Sequence, residues 1–61
     1  MNVYPIGQRF KSRSKIQAEF VEYIYKGPTH NDHLIEAVSG ISEDDCVVDV
    51  LWFDNREIKM I

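Results

Sequence analysis

The sequence predicts a single small domain, residues 1–61, mainly β, with one helix inserted between its second and third strands. Three observations predict it. Apolar and polar residues alternate through "RFKSR" and again through "CVVDVLWFDNREIKMI", the period of half-buried strands. The 61 residues are 44% hydrophobic with seven aromatics, which suits one globular domain near the lower size limit for folding alone. Between the alternating segments, "THNDHLIEAVSG" carries the start, face and stop signals of a helix.

Each element follows in order. Gly7 precedes the first alternating strand around Arg9, Phe10 and Lys11, and "SRSK" makes a polar turn. "SKIQAEFVEYIYKGP" fits two descriptions. As a helix, Ser14 caps with Gln17 three residues on, Ile16, Phe20, Tyr23 and Ile24 share a face, and Gly27-Pro28 ends it. As a strand, Ala18, Phe20 and Ile24 lie on one side and Val21, Tyr23 and Tyr25 on the other, with a bulge re-aiming Glu22. The β-branched and aromatic content favours the strand. The alternative is an α+β fold with two helices and a C-terminal hairpin.

Thr29 caps the next segment, Asp32 sits where a carboxylate favours a helix N-terminus, Leu34, Ile35 and Val38 form its apolar face, and Gly40 stops it. "SEDD" is a solvated acidic turn. In the last segment Cys46, Val48, Val50 and Trp52 point to the core, and Val47, Asp49, Leu51 and Phe53 point away. Asp54-Asn55 reads as a two-residue turn, after which "REIKMI" returns with Ile58 and Met60 on one face.

"IGQRFKSR", "QAEFVEYI" and "VVDVLWFDNREIKMI" together resemble the Tudor and KOW type of small β-barrel, over about 35 of the 61 residues. The resemblance implies a Src-homology-3-like barrel. Tudor domains carry Asp-Tyr-Gly-Asn at the final turn, whereas this chain has Asp54-Asn55 alone, which argues against a methyl-lysine or methyl-arginine cage. Residues 26–45 replace a short turn, so the insert carries what is particular to this chain.

The single cysteine excludes an internal disulfide and fits a reducing, cytoplasmic setting. A core this small supplies on the order of 3–5 kcal/mol, so tight packing, self-association or a partner must add to it. No apolar run reaches the ~20 residues that span a bilayer, and "MNVYPIGQRF" lacks the pattern of a signal peptide.

No catalytic set stands out. His30 and His33 have ligand-like spacing with Asp32, but no second close pair completes a tetrahedral site, so the group reads as a solvated helix start rather than a metal centre. Cys46 reads as a small apolar core residue rather than a nucleophile. No Gly-rich phosphate loop or hydroxyl-nucleophile signature occurs, and neither an enzyme nor a cofactor is expected.

Charge is divided. Residues 1–26 hold Arg9, Lys11, Arg13, Lys15 and Lys26 against Glu19 and Glu22, a net +3. Residues 27–61 hold Arg56 and Lys59 against Asp32, Glu36, Glu43, Asp44, Asp45, Asp49, Asp54 and Glu57, a net −6. Two binding surfaces follow. One is a protein-contact face of Leu51, Phe53 and Asp49 with the acidic Glu43, Asp44 and Asp45, suited to a partner with a basic surface. The other is a single-stranded nucleic-acid surface, with Arg9, Lys11, Arg13 and Lys15 on phosphates and Phe10 or Tyr23 stacking on bases. The acidic net charge of −3 favours the first. The expectation is a non-enzymatic binding module, an adaptor or inhibitor of the kind that phage and plasmid accessory proteins resemble.

Overall fold

The computed structural model describes residues 4–38 and 45–61, with the side chain of Asp45 excepted. Five strands and one short helix follow along the chain: β1 (Arg9–Ser14), β2 (Val21–Pro28), β3 (His33–Ala37), β4 (Asp45–Val48), α1 (Val50–Asp54) and β5 (Arg56–Met60). The strands form one antiparallel sheet in the order β4-β3-β2-β1-β5.

Alternation puts Phe10 and Ser12 of β1 on the inner face of the sheet and Arg9 and Lys11 on the outer face. The register carries the inner face across the sheet. Phe10 lies opposite Tyr23 of β2 and Met60 of β5, and Tyr25 lies opposite Ile35 of β3. Gly7 has φ +92°, a conformation that costs glycine little, and closes the turn before β1 by donating from its amide to the Tyr25 carbonyl.

Residues 14–17 explain why a helix start was legible there. Gln17 Oε1 accepts the Ser14 amide at 3.1 Å, and the Gln17 amide donates back to the Ser14 carbonyl at 3.0 Å. The first is one half of a capping box and the second an ordinary turn bond, so the same residues close a turn, and β2 follows, as the β-branched content favours. The two-helix alternative is thereby excluded. The bulge in β2 falls between Tyr25 and Gly27, beyond Glu22. There Gly27, at φ +115°, brings its Cα close under Ile6, where an added Cβ would meet Ile6 Cδ1 at 3.1 Å.

The helix expected between the second and third strands is not formed. The Thr29 amide donates to the Asp32 carbonyl and closes a turn, and His33–Ala37 becomes β3. Its inner face is His33, Ile35 and Ala37, a period of two that the helical spacing of Leu34, Ile35 and Val38 concealed. Gly40 and most of the "SEDD" turn lie outside the described residues.

The final hairpin is also corrected. Residues 50–54 are helical, not strand, and β4 and β5 lie at opposite edges of the sheet. Asp49 has extended φ/ψ and its Oδ1 accepts the Trp52 amide at 3.0 Å, so it caps α1. The Asn55 amide donates back to Leu51 and ends the helix. The chain crosses from one edge of the sheet to the other through α1, whose Phe53 packs on Phe10 and His33 of the inner face. Because β4 and β5 do not pair, the sheet is not closed into a barrel.

The core is aromatic. Phe10 is fully buried, with Tyr25, Ile35 and Phe53 beside it and Tyr4, Tyr23, Val48, Trp52 and Ile58 packed around it. Six of the seven aromatics, all but Phe20, join this cluster through ring contacts, and His33 completes it. Such pairs add about 0.5–1.5 kcal/mol each beyond the area they bury. Cys46, expected in the core, is exposed, although it lies opposite Ile35: β4 is an edge strand, and the rings cluster around β1, β2 and β3 instead.

Candidate functional site

The C-terminal segment from β4 through α1 holds the residues expected to contact a protein. Turning residues 50–54 into a helix reverses two of their roles. Phe53 swings inward, 7% exposed, onto Tyr4, Phe10 and the edge of His33. It leaves the contact surface. Val50, expected in the core, turns outward beside Leu51, which is 63% exposed, and Val47 on the outer side of β4 is 61% exposed. Three apolar side chains thus reach solvent within residues 47–51.

Along the sequence, the charges beside them are all acidic. Glu43, Asp44, Asp45, Asp49 and Asp54 fall between residues 43 and 54, where no lysine or arginine occurs. Asp49 is exposed, and its carboxylate caps α1. Glu43 and Asp44 lie outside the described residues, and Asp45 opens β4.

Trp52 is half-buried, as its expected core role requires, and is fixed from three sides. Phe53 lies at 4.9 Å between ring centroids, Tyr23 at 5.6 Å edge-on, and the Arg56 guanidinium 4.5 Å above the indole. Arg56 Nε donates to Ser12 Oγ at 2.8 Å and Nη2 to Gln17 Oε1 at 3.4 Å. Arg56 therefore ties β5, β1, the 14–17 turn and α1 together. Sequence reasoning missed it, and the only signal for it was a cation four residues after a tryptophan.

The structure redistributes the basic segment. Phe10, expected to stack on a base, is fully buried and cannot do so. Arg13 is held by Glu57 through two hydrogen bonds of 3.2 and 3.1 Å, donates to the Gln17 and Ala18 carbonyls, and lies 4.7 Å over the Phe20 ring. Arg9, exposed, sits 3.6 Å from the half-buried Glu22, a surface pair of little energetic worth. Lys11 and Lys15 are exposed, and Tyr23 is half-buried against Phe10 and Trp52. Lys11 has a further neighbour: it lies directly opposite Lys59 of β5, whose ammonium is 4.6 Å above the Phe20 ring.

His33 is the other core residue that sequence reasoning misplaced. It is buried, with Nδ1 2.6 Å from the Tyr25 hydroxyl. Burial raises the pKa of Tyr25 and of Tyr4, because the phenolate loses its water. Among the described residues no three histidine, cysteine or carboxylate side chains gather as a metal site, and no helix is long and apolar enough to cross a membrane.

Compared with protein-family models, curated proteins and solved structures, the chain matches none.

Proposed function

We propose that this chain is a non-enzymatic protein-binding module, an adaptor or inhibitor, that docks a partner on the surface of β4 and α1. One observation carries the reading. Val47, Val50 and Leu51 are exposed within a stretch whose charges are all carboxylates, an arrangement suited to a partner that presents apolar side chains ringed by lysine and arginine. A short open sheet with a rigid aromatic core supplies a scaffold that need not reorganise on binding, which favours affinity. The Src-homology-3-like reading belongs here too: five antiparallel strands and a helical turn just before the last strand are compatible with an open form of that barrel. A reducing cytoplasmic setting is part of the proposal, on the single cysteine.

The test is capture of partners from cell lysate by the immobilised chain and by a Val47→Asp/Leu51→Asp variant. Both side chains are exposed, so the variant should fold normally. A partner held by the parent, retained by a Lys11→Glu control and lost by the double variant is the expected result. Identical capture by all three would end the reading.

A second reading rests on the Lys11–Lys59 opposition. Two ammonium groups directly across a strand pair repel each other, and a phosphate between them would relieve that repulsion. Arg9 and Lys15 extend the same reading. It predicts binding of a single-stranded oligonucleotide that falls steeply with salt, with amide shifts confined to Arg9, Lys11, Lys15 and Lys59.

A further inference from the structure

We infer that β5 is a self-complementary edge, through which two copies of the chain join into one continuous antiparallel sheet. The inference is independent of the surface on β4 and α1.

Among the described residues, no strand pairs with the outer side of β5. The Ile61 amide donates to the Arg9 carbonyl. In an antiparallel pair, residues alternate between bonding inward and facing away. Ile61, Lys59 and Glu57 therefore turn their backbone groups to β1, while those of Met60, Ile58 and Arg56 face the free edge. An identical strand placed antiparallel along that edge, with Ile58 opposite Ile58 of the second copy, offers the matching donors and acceptors.

The side chains select this register. With Ile58 on the two-fold axis, Glu57 lies opposite the second copy's Lys59 and Lys59 opposite its Glu57. Arg56 lies opposite Met60. A shift of two residues one way sets Glu57 against Glu57, and the other way sets Lys59 against Lys59. A shift of one residue exchanges the two faces of the sheet and is not available to a continuous pairing. Only the centred register uses all five residues and pairs unlike charges on the outer face.

The neighbouring strand adds a reason. In one copy Lys59 faces Lys11 across the β1–β5 pair, with no carboxylate directly opposite. In the joined sheet the second copy's Glu57 fills the other side. The row across the seam becomes Glu22, Lys11, Lys59, then Glu57 and Arg13 of the second copy, with the ammonium pair bracketed by carboxylates. Met60 and Ile61, 52% and 61% exposed, are brought to the seam as well. A two-fold interface of this kind closes on itself and stops at two copies. So short a seam makes the association concentration-dependent rather than permanent.

Charge exchange tests the inference. Glu57→Lys alone sets two ammonium groups opposite each other at both ends of the seam, and Lys59→Glu alone sets two carboxylates there. Each should weaken self-association at least tenfold, measured by sedimentation velocity across a concentration series. An equimolar mixture of the two variants restores unlike pairs and should return to the two-chain mass. Far-UV circular dichroism checks that each variant folds. Should either fail, a synthetic chain N-methylated at Ile58 removes a donor from the free edge, keeps the ladder to β1, and should sediment as one chain. A parent chain that stays single at the millimolar concentrations of NMR would overturn the inference. So would single variants that associate like the parent, a mixture that stays single, or growth beyond two copies.

Discussion

A few side chains carry the core of this protein: among the described residues Phe10, Tyr25, Ile35 and Phe53 are its buried hydrophobic residues. Phe10 contacts four other rings and is fully buried, so Phe10→Ala should cost about 3–5 kcal/mol, comparable with the whole stability of so small a domain. That variant should lack a cooperative thermal transition. The Tyr25–His33 hydrogen bond contributes less. Tyr25→Phe keeps the ring but leaves His33 Nδ1 unsatisfied, and should cost about 1 kcal/mol in urea denaturation. Alkaline pH acts on the same hydroxyl. Its folded pKa lies above the ordinary value of 10.0, so the folded state holds the proton more tightly. Stability is then full below pH 10 and is lost as pH rises toward the folded pKa. Unfolding in step with tyrosinate absorbance checks this, and Tyr25→Phe should shift the transition to higher pH.

At the level of elements, two short segments decide the architecture. Asp49→Ala removes the side-chain cap of α1 and should cost about 1 kcal/mol, whereas Leu51→Ala, on an exposed side chain, should stay within about 0.5 kcal/mol. Gly27→Ala places a β-carbon at φ +115° and close to Ile6, and should cost more than about 1 kcal/mol. Chemical denaturation of the three variants measures the order.

The same segments show what could be read in advance. β1 and the return of residues 56–60 as a strand were legible in their alternation, and β2 in its β-branched and aromatic content, which outweighed the helical spacing of the same residues. β3 was not, because Leu34, Ile35 and Val38 satisfy a helical period while His33, Ile35 and Ala37 satisfy a strand, and pairing with β2 and β4 decided between them. For residues 50–54 a signal existed and was outweighed. Asp49 is a favourable cap, but the alternation of Val48, Val50 and Trp52 around it reads as strand. That one error put Phe53 on the surface and Val50 in the core. The candidate site was legible in its acidic charges and in Leu51, and hidden in Arg56, whose role depends on contacts with three other segments.

The whole molecule is one aromatic cluster on the inner face of a sheet whose two edges are joined through α1. Such a unit has no subset of contacts that holds alone, so unfolding should be a single transition. Trp52, the only tryptophan, contacts rings on β1 and β2, so its emission reports tertiary assembly while far-UV circular dichroism reports the sheet. The two curves should superimpose, and a separate early change in emission would mean that α1 detaches before the sheet opens. The uneven charge belongs to this scale as well. Positive charge in the first 26 residues meets negative charge in the rest where β1 pairs with β5 and β2 with β3, at Arg13–Glu57 and Lys26–Glu36, and salt should weaken both pairs.

The place of β1 between β2 and β5 sets a clock for folding. On one side it needs only the neighbouring hairpin, which closes over a few residues. On the other it waits for a strand some 44 positions away, the separation spanned by the Arg13–Glu57 pair. Bringing those ends together costs chain entropy before any contact returns it, so folding should run on the millisecond-to-second scale of non-local β proteins rather than in microseconds. The three strands β1, β2 and β3 can meet early, and the arrival of β5, with Arg56 settling over Trp52, completes the fold.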